Sequence, residues 1–251
     1  MQCVTDILQL YADSSSQCIN FEKSSIYFSS NTCEGQRDMI KSMLGVKEVE
    51  KFESYLGLPT LLGRSKYQAF SFLKDRVWKK MQGWKGKMLS KASKELLIKA
   101  VAQSIPTYTM GVFLLPARLC NELNALCARF WWGQTGDEKK IHLKNWGVLS
   151  QPKKEGGMGF RDLKNFNLAM LAKQGWRLIQ EKDSLLYKCF KARYFPRSNF
   201  LDASDAPNSS YVWRSLMSAQ PILKQGCCWR VGDGSTIWVM GDKWISHQIT
   251  N

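Results

Sequence analysis

Apolar residues recur at helical spacing through the middle of the chain, and this periodicity constrains the fold more than any other feature. One face of a first predicted helix carries Phe70, Leu73, Val77, Met81 and Trp84. A second helix, over residues 93–104, places Leu97, Val101 and Ile105 on its apolar face, and a third is predicted over residues 116–132. Because each helix has one apolar face to bury, these segments predict a helical bundle.

Strand signals lie mainly near the two ends of the chain. Residues 25–28 read as a strand, residues 55–59 as an extended piece bent by a glycine, and residues 228–239 as a hairpin. Further helices are predicted at residues 4–13, 36–45, 164–181, 184–194 and 211–219. The expected fold class is therefore α+β, mainly α.

The positive charge of the chain is concentrated in one segment. The whole sequence has 36 Lys and Arg against 21 Asp and Glu, a net charge of +15. Residues 64–99 hold eleven Lys and Arg and two acids, so eleven minus two gives +9 for this segment alone. A concentrated basic surface favours a polyanionic partner, nucleic acid before membrane, over a merely solvated outer face.

The cysteines and histidines do not form a metal-binding pattern. There are eight Cys and two His, no Cys-x-x-Cys, and both His142 and His247 lie far from any cysteine pair. We expect no zinc site, no dense disulfide framework and mostly buried, reduced thiols.

The sequence starts without a signal-peptide pattern, and no apolar run approaches the ~20 residues of a membrane helix. We therefore expect a cytoplasmic or nuclear protein without membrane association, and not a secreted one.

Tyr11-Ala12-Asp13 has the residue types of a polymerase metal-binding turn, but Ser14 stands where a second Asp would be required. Two-metal phosphoryl transfer needs at least two carboxylates that converge on ions ~4 Å apart. The chain contains no Asp-Asp pair, and the three residues lie in a predicted helix. We therefore interpret them as a look-alike and predict no metal site.

Two further polar motifs are interpreted as turns. Asp233 lies between two glycines, which is typical of a hairpin turn. Gly156-Gly157 is not followed by Gly-Lys-Ser/Thr, so it does not predict a phosphate-binding loop.

Five stretches, taken in order, resemble the reverse transcriptase of non-LTR (LINE-like) retroelements of the plant type. They are residues 17–24 (QCINFEKS), 55–59 (YLGLP), 156–163 (GGMGFRDL), 166–177 (FNLAMLAKQGWR) and 232–238 (GDGSTIW). The resemblance covers nearly the whole chain. Ser16 and Met240-Gly241 depart from the usual pattern of that family.

The resemblance implies roles for particular residues. Lys23 belongs to the fourth polymerase motif at the edge of the palm, near the incoming nucleotide, and is expected to be vestigial without palm carboxylates. The following hairpin is implied to grip the primer strand, through Tyr55, Leu56, Gly57, Leu58 and Pro59. The basic helices resemble the thumb, and their candidate nucleic-acid-binding residues are Arg64, Lys66, Arg76, Lys79, Lys80, Lys85, Lys87 and Lys91.

The same resemblance implies three segments. Residues 1–62 are expected to be a palm edge with the primer-grip-like hairpin, residues 63–133 a thumb-like basic bundle, and residues 134–251 a connection region. The metal-binding palm motifs, the zinc-binding segment and the ribonuclease H acids are expected outside the chain. We thus expect this chain to bind no cofactor, whereas the complete family enzyme uses Mg²⁺. The expected partner is RNA or DNA, bound without sequence specificity.

Three hypotheses follow for function. The first is a catalytically inactive reverse transcriptase fragment that retains weak nucleic-acid binding. The second is an enzyme whose acids come from another open reading frame that completes the palm. The third is a structural or interaction protein whose basic face is incidental. The genomic sequence immediately upstream would discriminate between them. An in-frame Asp-Asp motif and earlier palm motifs there, without a stop, would indicate a truncated gene of an enzyme.

We predict no polymerase activity from the isolated chain, because no second carboxylate accompanies Asp13. Primer extension on an RNA template with Mg²⁺ or Mn²⁺ should show no nucleotide incorporation. Incorporation that is abolished by Asp13→Ala would contradict this interpretation.

Overall fold

A computed structural model describes residues 2–49, 54–60, 62–84, 89–133, 141–205, 207–228 and 232–235. Contacts divide the chain into two units, residues 1–62 and residues 63–251. The described residues are mainly helical, with two sheets of two short strands each, as the α+β, mainly α, prediction expected.

Unit 1, residues 1–62, contains two helices and two small sheets. Its elements are α1 (Gln2–Ser15), β1 (Ser25–Ile26), α2 (Glu34–Leu44), β2 (Lys47–Glu48), β3 (Ser54–Tyr55) and β4 (Leu58–Pro59). Strands β1 and β2 are parallel, and β3 and β4 are antiparallel. Helix α2 ends where Gly45, at φ 63°, donates its N–H to the Lys41 carbonyl oxygen, as expected of a glycine after a helix.

Strands β3 and β4 form a tight hairpin at the predicted primer-grip-like residues. The two residues between the strands, Leu56 and Gly57, have φ of 51° and 76°. Positive φ at both central positions is the geometry of a two-residue hairpin turn that matches strand twist, and glycine adopts it without strain. Tyr55 pairs with Leu58 across the hairpin.

Unit 1 has no buried core among its described side chains. None of those residues is classed as buried, and helix α2 buries none of its side chains. Its exposed large apolar residues are Val4, Ile7, Leu8, Leu10, Tyr11, Phe21, Tyr27, Met39, Met43, Tyr55 and Leu56. Hydrophobic burial therefore contributes little to the stability of this unit.

Unit 2, residues 63–251, is helical and holds the buried core. Its α-helices are α3 (Lys66–Phe70), α4 (Phe72–Gln82), α5 (Lys91–Leu97), α6 (Thr107–Met110), α7 (Ala117–Trp132), α8 (Trp146–Ser150), α9 (Leu163–Gln180), α10 (Leu185–Tyr194) and α11 (Tyr211–Gly226). A π-helix, Ile98–Ala102, continues α5, and 3₁₀ turns lie at Lys153–Glu155 and Phe200–Asp202.

The predicted apolar stripes of α4 and α7 are buried faces, whereas Leu97, Val101 and Ile105, predicted as the stripe of the second helix, are only half-buried, and Ile98 and Ala102 are buried instead. Leu73, Val77 and Met81 of α4 are at most 3% exposed, and Leu119 and Leu123 of α7 at most 1%. Helix α4 packs on α7, and α7 in turn packs on α9. The core therefore continues from the basic helices into the following segment.

One buried asparagine joins α9 to the connection between α6 and α7. The Asn167 amide donates to the carbonyl oxygens of Met110 and Phe113, each at 2.9 Å, and its oxygen accepts from the Leu115 N–H at 2.7 Å. Asn167 is 1% exposed, so these bonds satisfy backbone groups that water cannot reach. Asn167 belongs to the stretch FNLAMLAKQGWR.

A second cluster packs around Trp213 of α11, which is 0% exposed. The Tyr194 ring stacks on Trp213 with centroids 4.6 Å apart, and Phe195 stacks on it at 5.6 Å. Helices α9 and α11 approach closely at Gly175, where an added Cβ would lie 2.8 Å from Leu223 Cδ1. A larger residue here would require the Leu223 or Phe200 side chain to shift.

The Gly156-Gly157 motif is a turn, as predicted. Gly156 and Gly159 have φ of 80° and 67°, and an added Cβ at Gly157 would lie 2.0 Å from the Gln151 carbonyl oxygen. The turn leads to Phe160, which is 2% exposed and stacks on Trp146 with centroids 4.8 Å apart. The glycines are thus explained by backbone geometry alone.

The cysteines differ from the prediction, and most of the predicted C-terminal hairpin lies outside the described residues. The cysteines are not joined by disulfides, and only Cys120 and Cys127 are buried. The expectation of mostly buried cysteines is wrong, because most of the others lie in unit 1 or on exposed helix faces. Most of the predicted hairpin over residues 228–239 lies outside the described residues. Within residues 232–235 the chain bends, and Asp233 Oδ1 accepts from the Ser235 N–H at 3.1 Å, which fits a turn residue.

We predict that Asn167→Ala destabilises the protein by on the order of 3 kcal/mol, because three buried backbone groups lose their partner and each unpaired group costs ~1–3 kcal/mol. The measurement is thermal or urea unfolding. Asn165→Ala, at an exposed position of the same helix, is the matched control and should change stability by less than ~0.5 kcal/mol. Equal effects of the two substitutions would contradict the role given to Asn167.

We predict that proteases cleave unit 1 before unit 2, because its described residues have no buried core. Limited trypsin digestion, followed by mass spectrometry, should remove peptides from residues 1–62 first. Cleavage should begin at exposed basic residues such as Lys23 or Lys47. Protection of this segment equal to that of unit 2 would show that its apolar side chains are covered.

Candidate nucleic-acid interface

The candidate site lies along helix α4 because one face of that helix is buried and the other is basic. Residues spaced three and four apart share a helix face, so Leu73 and Val77 pack into the core together. Arg76, Lys79 and Lys80 fall outside this stripe and are exposed. The local sequence therefore fixes both the attachment of α4 and the exposure of its cations.

These three cations line a groove, together with the turn that follows α4. The lining residues are Arg76, Lys79, Lys80, Gly83, Trp84 and Ile105, and the groove has a volume of about 640 Å³. No carboxylate is among the described residues that line it. The groove combines positive charge with an apolar surface.

Trp84 and Ile105 are brought to the groove by neighbouring elements. The Trp84 N–H donates to the Met81 carbonyl oxygen at 3.1 Å, which closes the turn after α4. The Trp84 ring packs against Phe130 of α7, with centroids 5.4 Å apart. Both Trp84 and Ile105 are half-buried, so each keeps part of its surface towards the groove.

The segment after the π-helix is held in place by Gln103. Its amide donates to the Arg161 carbonyl oxygen at 2.9 Å and its oxygen accepts from the Arg161 N–H at 3.2 Å. One turn earlier, Lys99 Nζ donates to the Met158 carbonyl oxygen at 2.6 Å. The position of Ile105, two residues after Gln103, is therefore fixed by contacts with the segment at residues 158–161.

The cations of the groove differ from a second group that is used to stabilise the fold. Glu122 of α7 accepts from Tyr67, from Lys74 at 2.8 Å and from Arg118 at 3.0 Å. These hydrogen bonds, that from Lys74 foremost, lower the pKa of Glu122 to about 2. Lys74, though part of the basic segment, is therefore committed to an ion pair.

By contrast, the three groove cations have no acidic partner within the part of the chain that the structure describes. The ion pairs of those residues do not include Arg76, Lys79 or Lys80. Arg76 lies over the Phe72 ring at 5.0 Å, which orients its guanidinium without neutralising it. Their charges remain available for an anionic ligand.

The other predicted basic residues are placed differently. Arg64 is exposed, whereas Lys66 donates to the Gly63 carbonyl oxygen at 2.7 Å and lies 5.1 Å from the centre of the Tyr211 ring. Lys91 Nζ lies 3.3 Å from the Trp131 carbonyl oxygen and 4.8 Å from the centre of the Trp131 ring, so it packs on the end of α7. Lys85 and Lys87 lie outside the described residues.

The predicted polymerase-motif residues lie in unit 1. Lys23 is exposed, and its N–H is bonded to the side-chain oxygen of Asn20 at 3.1 Å, in a turn that Ser24 also joins through a bond to the Asn20 carbonyl oxygen. Tyr55 and Leu56 of the β3–β4 hairpin are 70% and 72% exposed. These side chains are accessible within their own unit.

Tyr11-Ala12-Asp13 lies inside α1, as expected, and not on a turn between strands. Asp13 accepts from the Gln9 side chain one helical turn away, at 3.0 Å. Among the described residues, no group of three or more His, Cys, Asp or Glu side chains could hold a metal ion.

The sequence does not predict the groove, because its helical period places both Trp84 and Ile105 on buried apolar stripes. Periodicity places a residue on the inner side of a helix, but does not show where that inner side ends. One feature of the sequence that could have indicated the groove is the position of Trp84 directly after Gly83, beyond the last basic turn of α4.

No protein-family model matches the sequence. A protein of Arabidopsis thaliana named "Putative ribonuclease H protein" is 38% identical over 192 residues, which make up 75% of this chain and 31% of that relative. An uncharacterized mitochondrial protein of Arabidopsis thaliana is 38% identical over 146 residues, which make up 58% of this chain and 95% of that relative. The match thus spans less than a third of the first relative and nearly all of the second.

Among the described residues, no helix has the length and apolar character to cross a membrane.

Proposed function

This chain belongs to the family of the uncharacterized mitochondrial protein of Arabidopsis thaliana, and from that premise we propose that it is a retroelement-derived protein that binds nucleic acid through its basic helices. The observation that carries the proposal is the groove with Arg76, Lys79 and Lys80, which have no acidic partner among the described residues. Unpaired cations on a helix suit a phosphate backbone, which they neutralise without reading the base sequence.

The more specific part of the proposal is a segment of a non-LTR reverse transcriptase without catalytic activity of its own. It is supported by the order of the five stretches that resemble that family. It is also supported by a relative named "Putative ribonuclease H protein", although the match covers only 31% of that relative. In this proposal residues 1–62 correspond to a palm edge, residues 63–133 to a thumb and residues 134–251 to a connection region. Mg²⁺ would belong to the complete family enzyme.

Each part of the chain would then have a distinct task. The exposed β3–β4 hairpin would contact the primer strand, and Lys23 would be a remnant of the nucleotide site. The groove cations would hold the backbone of the nucleic acid. Arg64 can join them, whereas Lys66 and Lys91 contribute less because they pack on Tyr211 and on Trp131.

We predict that replacing Arg76, Lys79 and Lys80 together by Gln weakens nucleic-acid binding and flattens its salt dependence. Each lost contact with a single strand should reduce the slope of log K against log salt concentration by ~0.7, so three contacts should reduce it by about 2. The measurement is fluorescence anisotropy of a labelled oligonucleotide over a salt series.

The matched control replaces three exposed lysines elsewhere, Lys173, Lys182 and Lys224, by Gln. This control removes the same charge and should leave affinity and slope close to those of the native chain. If the two triple variants bind alike, the effect is one of net charge, and the basic face of α4 is incidental. Unfolding temperatures of both variants, expected near the native value, exclude loss of the fold as the cause.

A further inference from the structure

We propose that the groove beside α4 binds single-stranded nucleic acid, with one unpaired base on the Trp84 ring and the flanking phosphates on Arg76, Lys79 and Lys80. The inference rests on the proposed function and adds to it the strandedness of the ligand and the residue that selects it. It follows from the composition of the groove, which contains the apolar residues Trp84 and Ile105 in addition to its cations.

The apolar part of the groove distinguishes the two kinds of ligand. A duplex presents phosphates on its outside and keeps its bases stacked inside, so cations alone are sufficient to bind it. Trp84 and Ile105 would gain nothing from such a ligand. An unpaired base has a free face that can stack on an aromatic ring, and binding sites for single strands combine this stacking with a basic groove.

The spacing of the cations along α4 suits successive phosphates next to the base. Arg76 and Lys80 are four residues apart on α4, a rise of ~6 Å along one helix face. Lys79 lies on the adjoining face, and Trp84 follows in the turn after the helix. The aromatic ring and the cations therefore line the same groove from consecutive turns of the chain.

The size of the groove and the support of Trp84 agree with this ligand. A volume of about 640 Å³ lies in the range of small-molecule sites, ~300–1,000 Å³, so the groove has room for a nucleotide unit. Phe130 packs against the Trp84 ring at 5.4 Å, so the ring has a fixed neighbour in α7. A ring held in this way loses little freedom when a base binds.

Charge density alone predicts the opposite preference, which makes the inference testable. Duplex DNA carries one charge per ~1.7 Å of its axis, against ~3.4 Å for one strand, so a purely cationic face should prefer the duplex. Anisotropy titrations of the full chain would use three probes of equal length: a single-stranded DNA, its duplex, and an abasic strand that keeps the phosphates but has no bases.

The native chain should bind the single strand about tenfold more tightly than the abasic strand, and more tightly than the duplex. Trp84→Ala should lose about tenfold in affinity for the single strand and leave affinity for the abasic strand unchanged. Trp84→Phe, which keeps an aromatic face, should retain most of the preference. The comparison of probes on the native chain does not depend on how either variant folds.

Equal affinity of the native chain for the single and abasic strands, or tighter binding of the duplex, would overturn the inference. If Arg76, Lys79 and Lys80 still governed binding in that case, the proposed function would stand without base stacking. Binding that is insensitive to those three charges would instead overturn the proposed function itself.

Discussion

The hydrogen bonds of Asn167 are the interaction on which the rest of unit 2 depends. This one amide satisfies the carbonyl oxygen of Met110, the last residue of α6, and two backbone groups of the connection to α7, the Phe113 carbonyl oxygen and the Leu115 N–H. Two residues of α11 complete the connection: the Tyr211 hydroxyl donates to the Leu114 carbonyl oxygen at 2.6 Å, and the Ser215 hydroxyl accepts from the Leu114 N–H at 2.9 Å. A non-helical segment can lie in the core only because its polar groups are paired in this way.

The candidate groove is a consequence of this packing. Helix α7 is positioned by α9, and its Phe130 provides the surface against which Trp84 rests. Gln103, 0% exposed, fixes the chain just before Ile105 through its two bonds to Arg161. Trp84 and Ile105 lie in turns, but each is supported by residues of other elements, and such support reduces the entropy that would be lost when a ligand is ordered.

The basic segment divides its cations between two purposes. Lys74 pairs with Glu122 of α7, and Lys99 donates to the Met158 carbonyl oxygen as well as to Glu95 of its own helix, so each helps to join segments of unit 2. Arg76 and Lys80, on the same helix as Lys74, remain exposed. Stability and the proposed nucleic-acid binding thus use different charges, and the exposed ones can change with little cost to the fold.

The sequence by itself determined the features that depend on near neighbours. The buried stripe of α4, the end of α2 at Gly45 and the hairpin turn at Gly57 follow from helical period and from positive φ, which are local properties. The tertiary structure decided which cations have acidic partners and that Trp84 borders a groove. Both depend on residues far apart in sequence, such as Lys74 and Glu122, and a pattern of spacing carries no information about which distant segment packs against it.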